Sequence, residues 1–306
     1  MRLLINLLAL GRISNLPTVW TNCAAAWIVN AHASPGIREM PATSENLTLV
    51  WEGIGWLILG ASLLYVGGCT LNDAFDQEFD KRHNPTRPIP SGSITPSIVW
   101  IAGITEIVSG AFILLEPAGA SWIWVAVLAL CILVYDAVHK KWSGSVWLMG
   151  SCRFFLWLCA ASAAREEIAP LTWLWSGTIA CYVVGISLYA RSEATSSGNA
   201  SRLPLPLLFG PVLLALMYLV DWNNLSPLRQ LAVNVAGLLV AWIVYTAVME
   251  MRTGKKGCIG RGVSRLLAGI AACDATAAGL VSPTLAYACL ACIPVALLLQ
   301  KKFAAT

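Results

Sequence analysis

Charge is scarce in this chain. Only 12% of its 306 residues are Asp, Glu, Lys or Arg, where a soluble domain carries about 25%. No basic run is long enough to follow a nucleic-acid backbone, which excludes that class of partner. No low-complexity stretch or linker divides the sequence, so residues 1–306 read as a single domain. Cysteine patterning is equally thin: Cys289 and Cys292 form one C-x-x-C with no second pair and no nearby His, and the ten cysteines fall mostly inside apolar runs. Such thiols behave as small hydrophobes. A cleavage site is missing after Met1–Leu10, where Gly11-Arg12 leads straight into a further apolar run, so the N-terminus reads as an uncleaved interfacial segment.

What the chain has instead is hydrocarbon. Its residues are 58% hydrophobic and its mean hydropathy is +0.70. A membrane span needs about 20 mostly apolar residues. Candidates lie near 13–31, 52–75, 97–116, 120–138, 145–163, 170–190, 204–221, 228–249, 263–281 and 283–299. The last two are separated only by Ser282-Pro283, so they are two helices or one broken helix, and the count is nine or ten. The fold class is therefore all-α, a multi-pass transmembrane bundle, and the bilayer is its first partner.

Loop charges orient it. One side collects Arg2, Arg12, Lys81, Arg82, Arg87, Lys140, Lys141, Arg191, Arg202, Arg252, Lys255, Lys256, Arg261 and Arg265. The other holds Arg38, Arg165 and Arg229 among Glu39, Glu45, Glu116, Glu166, Glu167 and Asp221. The first side reads as cytoplasmic in a cell (inner) membrane protein. Residues 34–50 then form a non-cytoplasmic loop, and Lys301 and Lys302 favour a cytoplasmic C-terminus and ten spans. Trp51, Trp56, Trp122, Trp142, Trp173 and Trp222 near span ends read as interfacial belts.

Against this background Asn72-Asp73-Ala74-Phe75-Asp76-Gln77-Glu78-Phe79-Asp80 stands out at the mouth of the second span. Unpaired charge at a membrane boundary is costly and calls for a counter-ion or ligand. At about 100° per residue, Asp73, Asp76 and Asp80 share one arc of a helix, and Asn72 can join it. Oxygen ligands converging in this way suit Mg²⁺, which takes a few carboxylates together with waters and phosphate oxygens. The other reading is a solvated acidic helix end neutralised by Lys81 and Arg82. Arg153, Glu106 and Asp274 are ionisable residues inside spans, each expected to face the interior or find a partner, with Glu106 a candidate acceptor-side base. For Arg153 the alternative is snorkelling to the interface.

The run from Asn72 to Gly92, N-D-x-x-D-x-x-x-D-x-x-x-N-x-x-R-P-x-x-x-G, resembles the first aspartate-rich motif of the UbiA-type membrane prenyltransferases. The resemblance implies a helical bundle around a central cavity opening to the cytoplasmic face. It also implies Mg²⁺-dependent transfer of a prenyl group from an isoprenyl diphosphate to a small-molecule acceptor, often aromatic. By the same resemblance Asn72, Asp76 and Asp80 hold the metal or diphosphate with Asp73 close by, and Arg87 serves the diphosphate or orders the loop. Tyr135 and Lys140 look like the family's tyrosine and lysine after the fourth span, although positive-inside anchoring also accounts for Lys140.

The family's second aspartate motif, D-x-x-x-D, is missing. At its place stands Ser187-Leu188-Tyr189-Ala190-Arg191-Ser192-Glu193, with one acid and one cation. Arg191-x-Glu193 and Met149-Gly150-Ser151-Cys152-Arg153 are similar to the divergent UbiA-like branch called EboC. Arg191 and Glu193 are thus expected at the catalytic site, with Arg191 standing in for lost positive charge and Arg153 near the substrate. The alternative is a non-catalytic membrane protein that binds or helps transport a prenyl or lipid diphosphate. Phosphatidyl-alcohol transferases are excluded, since the chain has neither D-G-x-x-A-R nor G-x-x-x-D-x-x-x-D.

Overall fold

In hydrocarbon the backbone must satisfy its own hydrogen bonds, so long apolar runs become helices. The computed structural model describes residues 2–32, 44–194, 204–217 and 225–303, and it contains no strand among them. A short α1 (Arg2–Leu10) leads through a 3-10 turn (Ile13–Asn15) into α2 (Leu16–His32). α3 (Ser44–Phe75) and α4 (Gln77–His83) carry the acidic motif, followed by α5 (Pro96–Leu115), α6 (Trp122–Val138), α7 (Ser145–Ala164) and α8 (Pro170–Ala194). Beyond these come α9 (Leu205–Leu208), α10 (Gly210–Met217), α11 (Pro227–Met251), α12 (Cys258–Gly279) and α13 (Pro283–Lys302).

Among the described residues six helices, α3, α5, α7, α8, α11 and α13, contain stretches long and apolar enough to cross a bilayer, and α6 is a shorter apolar helix. The expected spans at 263–281 and 283–299 are two helices. Pro283 occupies the first turn of α13, and the Ser282 side chain accepts from the Leu285 amide, an N-terminal stop-and-start signal. The span expected at 204–221 starts as two short helices, because Pro206 and Pro211 cannot donate backbone hydrogen bonds. Residues 44–50, expected in a loop, extend α3 instead. Residues 33–43, with Arg38 and Glu39, lie outside the described residues, as do Arg202, Asp221 and Trp222.

The core is built around α12. Every residue from Ala268 to Gly279 is buried, and α2, α8, α11 and α13 pack around it. Its Ala and Gly side chains let neighbouring backbones come close, the usual basis of helix association in lipid. The same economy operates at the seam of α3 and α5. A methyl on Gly110 would stand 2.7 Å from the Leu64 backbone nitrogen and 2.8 Å from the Gly60 carbonyl oxygen. Trp56, Trp122, Trp142 and Trp173 are exposed on the outside, whereas Trp157 and Trp175 are fully buried.

The far end of the bundle is tied by Asn30 of α2. Its Nδ2 donates to the Ala161 carbonyl at 2.9 Å, and its Oδ1 accepts from the Ala169 amide at 2.8 Å and the Thr172 hydroxyl at 3.1 Å. This satisfies the end of α7 and the start of α8 together. With that end held, alternating helix directions gather the turns after α1, α3, α6 and α11 and the C-terminal end of α8 at the opposite end.

The seam predicts a contrast between two chemically identical substitutions. Gly110→Ala has no space, and overpacking costs about 1–3 kcal/mol, so its thermal transition in detergent falls well below wild type. Gly237→Ala meets nothing within 4 Å and leaves the transition at or above it.

Candidate functional site

The acidic motif sits where α3 gives way to α4. The helix is interrupted at Asp76, yet Asp76 N still donates to the Asn72 carbonyl at 3.0 Å and Asp80 N to the Asp76 carbonyl at 2.8 Å. The register therefore survives and the three aspartates stay together. All are buried: Asp73 is 8% exposed, Asp76 4% and Asp80 1%. A solvated acidic helix end would leave them in water, so that reading fails. Lys81 pairs with exposed Glu78 at 2.7 Å rather than with an aspartate, and Arg82 is exposed.

The cations that compensate these carboxylates come from elsewhere. Arg87 bridges Asp73 and Asp80 at 3.2 and 2.8 Å. Asn84 donates to the other oxygen of Asp80 at 2.8 Å. From the end of α6, Lys140 Nζ reaches Asp76 at 3.3 Å and His139 Nε2 reaches it at 3.2 Å. Burial alone would raise the Asp76 pKa, but the His139 hydrogen bond and charge together with Lys140 outweigh it and hold the carboxyl below its ordinary value. Lys140 also lies over the Phe79 ring, 4.4 Å from its centroid, a cation–π contact that fixes its direction.

Three participants escaped the sequence reading. Arg12 reaches Asn72 Oδ1 at 3.3 Å and Asp73 at 3.7 Å, across 60 residues of chain. Its backbone is left-handed, with φ 43° and ψ 48°. A non-glycine residue holds that conformation at a cost of roughly 1–2 kcal/mol, and such strain clusters at functional sites. Asp136, buried on α6, accepts from Asn72 Nδ2 at 2.9 Å, while its second oxygen has no hydrogen-bond partner. His139 is the third. Both Asp136 and His139 stand in the same run as Tyr135, and their signal was simply their place beside it. Asn72 thus spans Arg12 and Asp136 and ties α3 to the turn after α1 and to α6.

The loop after the motif is shaped rather than slack. Ser93 and Ile94 amides both donate to the Pro88 carbonyl, at 3.0 and 3.3 Å, and Gly92 takes a positive φ of 74° to allow it. Ile89 and Ile94 pack with Leu10 of α1, Ala74 and Val99. The N-terminal segment therefore clamps the loop that delivers Arg87.

Tyr135 stacks on His139 with ring centroids 5.0 Å apart, bordering the site. Arg191 does something other than expected. Its guanidinium bonds the carbonyl of Ser143, those of His139 and Trp142 at 3.4 Å each, and Ser145 Oγ at 2.5 Å. Among the described residues it pairs with no carboxylate. It holds the 139–145 turn that aims His139 and Lys140, so it orders the site from behind. Glu193 lies in the last turn of α8, and its side chain is outside the described residues.

Arg153 is 8% exposed and inside the bundle, joined to Asn22 and Thr18 of α2, so it does not snorkel. Asp274 faces the same interior and accepts from Thr21 and Asn22. Glu106 sits at the α3–α5 seam beside Gly67, with no cation within ion-pair distance among the described residues. Among the described residues no hydrogen bond or ion pair joins it to the aspartates. Cys289 and Cys292 are free thiols.

The donor chemistry fits a hard divalent ion, since Asp73, Asp76 and Asp80 offer carboxylate oxygens on one face. Their present spacing is set by protein cations, and among the described residues no three His, Cys, Asp or Glu side chains are gathered as a metal cage. A divalent ion bound here would replace Arg87 and Lys140 on those oxygens.

Residues 41–250 match the model of the UbiA prenyltransferase family. The chain belongs to that family. It is a membrane protein of the prenyl-transferring class. A 4-hydroxybenzoate octaprenyltransferase of Pseudomonas aeruginosa (strain LESB58) is 25% identical over 242 residues, which cover 74% of this chain and 75% of that one. A protoheme IX farnesyltransferase of Bacillus pumilus (strain SAFR-032) is 32% identical over 89 residues, 28% of each chain. Among solved structures, a UbiA homolog from Aeropyrum pernix K1 superposes with a TM-score of 0.59 at 13% identity, covering 92% of this chain and 96% of that one. A chain from a study of digeranylgeranylglyceryl phosphate synthase gives 0.58 at 15%, with coverage of 90% and 99%. The UbiA fold is thus shared across nearly the whole chain.

The left-handed backbone at residue 12 is separable from the guanidinium it presents. Arg12→Gly and Arg12→Ala lose the same ion pair, but only glycine is at ease at φ 43°. Arg12→Gly is expected to be the more stable by about 1 kcal/mol, read as thermal unfolding in detergent. Equal stability would mean the conformation is not demanded by the fold.

Proposed function

We propose that residues 1–306 act as one transmembrane domain that transfers an isoprenyl group from its diphosphate to a small-molecule acceptor, with Mg²⁺, at the cytoplasmic face of the inner membrane. The observation that carries this is the convergence of Asp73, Asp76, Asp80 and Asp136 with Arg12, Arg87 and Lys140 at one end of an apolar bundle. Such a site suits a ligand with a dense negative head and a hydrocarbon tail. The loop cations at the same end support its cytoplasmic placement.

The chemistry is heterolysis of the allylic carbon–oxygen bond. The diphosphate departs with the bonding pair, and the acceptor's nucleophilic atom forms the new bond to carbon and then loses a proton. Negative charge grows on the diphosphate as the bond breaks, so cations fixed beforehand act where they are needed. Lys140 meets it as a point charge and Arg87 as a planar fork. Tyr135 and the bundle interior supply a water-poor environment for the allylic cation. Mg²⁺, held through Asp76 and Asp80 with Asn72 and Asp73 beside them, would neutralise diphosphate charge. Arg191 serves by holding the turn that carries Lys140.

The test uses the full chain in nanodiscs with a panel of prenyl diphosphates and Mg²⁺, reading diphosphate release with an aromatic acceptor such as 4-hydroxybenzoate, the substrate named for the Pseudomonas relative. Chelation should abolish release. Asp76→Asn should lower it by about 10²-fold or more, the scale of losing one preorganised electrostatic group. Arg191→Gln should weaken release without abolishing prenyl-diphosphate binding. Release that is insensitive to Asp76→Asn, or no binding of any prenyl diphosphate, would sink the proposal.

A further inference from the structure

The turn between α11 and α12 is strongly basic. From Glu250 to Arg265 the chain holds Arg252, Lys255, Lys256, Arg261 and Arg265 against the single acid Glu250, an excess that equals the net charge of the whole protein, +4. Glu250 takes two of these cations: Arg261 Nε reaches it at 2.7 Å and Arg265 Nη2 at 3.7 Å. Among the described residues no carboxylate stands within ion-pair distance of Arg252, Lys255 or Lys256, and all three are exposed.

These cations stand on an ordered turn. Gly254 and Gly257 take positive φ values of 66° and 73°, which lets the chain reverse tightly between the two helices. The Thr253 hydroxyl donates to the Glu250 carbonyl at 2.8 Å, the Cys258 amide to the Lys255 carbonyl at 2.9 Å, and Arg261 Nη1 to the Lys256 carbonyl at 3.1 Å. Lys255 and Lys256 are thereby held at the tip. Arg265 Nη1 donates to the Thr246 carbonyl at 3.3 Å, which fastens α12 to the side of α11 one turn further into the bundle.

Apolar surface of regular spacing leads up to this turn. Leu238, Trp242, Tyr245 and Met249 of α11 are all exposed, and their places in the sequence put them on one helix face. The same spacing reaches Arg252, whose backbone is still helical at φ −78° and ψ −9°. From Leu238 to Arg252 is about 21 Å at 1.5 Å per residue, enough to cross one leaflet of a hydrocarbon core about 30 Å thick. Trp242 is 62% exposed and stands about 15 Å deeper than Arg252, whereas interfacial tryptophans sit at headgroup level. Its ring and that of Tyr245 have centroids 6.3 Å apart and are inclined by 36°. The face thus joins an aromatic ledge at acyl-chain depth to a cationic rim.

We propose that this face binds an anionic glycerophospholipid, with its phosphate on Arg252, Lys255 and Lys256 and one acyl chain along Tyr245, Trp242 and Leu238. The site goes beyond prenyl transfer and does not rest on it. Charge complementarity selects the occupant, since each basic side chain near a membrane surface favours anionic lipid by about fivefold. A zwitterionic headgroup offers the same phosphate but brings its own cation, which cancels that attraction. A second copy of the chain packed here about a two-fold axis along the membrane normal would set each basic turn against its counterpart, and like charges repel.

The probes are phosphatidylglycerol and phosphatidylcholine with acyl chains brominated at mid-length, so that bromine quenches a tryptophan it touches. Each is titrated to the same mole fraction into nanodiscs of unbrominated phosphatidylcholine that hold the full chain. Subtracting the signal of Trp242→Phe isolates Trp242 from the other tryptophans. Phosphatidylglycerol should occupy the Trp242 face at least about fivefold more readily than phosphatidylcholine. Lys255→Gln/Lys256→Gln should bring that ratio below about twofold. Lys301→Gln/Lys302→Gln removes as much charge from the end of α13, and it should leave the ratio unchanged. Both pairs are exposed, so neither change threatens folding. A ratio that falls equally in the two pairs means diffuse attraction to the whole protein and removes the site. Equal quenching by the two lipids removes headgroup recognition. Quenching by neither is the result expected of a second copy covering the face, and it too overturns the assignment.

Discussion

The site depends on one constraint: carboxylates buried at the edge of hydrocarbon must meet cations. Asp73, Asp76 and Asp80 occupy barely two turns of chain, and no cation within those turns serves them. Arg87 returns from a loop, Lys140 and His139 come from the end of α6, and Arg12 comes from the turn before α2. Pairing therefore draws separate parts of the chain to one point. The same demand explains α1, whose Leu10 packs on the loop that returns Arg87, and the left-handed backbone at Arg12, which tertiary contacts hold against its own preference. Each ion pair also leaves the cluster nearly neutral, and a dianionic ligand with a divalent ion could enter by exchanging partners within it.

A different rule governs the interior. The most buried helix, α12, is made largely of Ala and Gly, and its polar residue Asp274 is fully buried. Lipid tails match large apolar side chains, so outer helices such as α5 expose Ile101, Ile104, Val108 and Phe112, while the centre is held by close backbone approach and polar bonds. Thr18, Thr21 and Asn22 of α2, Arg153 of α7 and Asp274 of α12 form one such set of bonds. It cross-links three helices that share no neighbouring sequence.

These two rules explain how far the sequence could be read. Apolar runs gave the helical bundle, and the spacing of Asp73, Asp76 and Asp80 survived even though the helix breaks at Asp76, because the backbone bonds continue through it. Arg87 and Lys140 were legible because a resemblance named them. Arg12 was not, since nothing local marks a residue whose partner lies 60 positions away. Asp136 and Asn72 are separated by a similar gap, so the bond between them is equally invisible in the sequence. Glu106 turns inward as a mid-span acid should: it packs against Gly67 at the α3 seam, with one carboxylate oxygen buried there.

The end of α8 shows what became of the missing second motif. Two aspartates there would have drawn cations toward α8 and divided the charge between two poles. Arg191 instead faces the backbone carbonyls of the turn after α6, where a cation meets the negative end of the helix dipole. That contact costs no buried anion and fixes the 139–145 turn, so the direction of Lys140 toward Asp76 depends on a residue that does not touch Asp76. A guanidinium pairing with carbonyls cannot reproduce a second carboxylate cage. It can make the first pole more rigid, and the charge chemistry of this chain is then concentrated between α3, the Arg87 loop and α6.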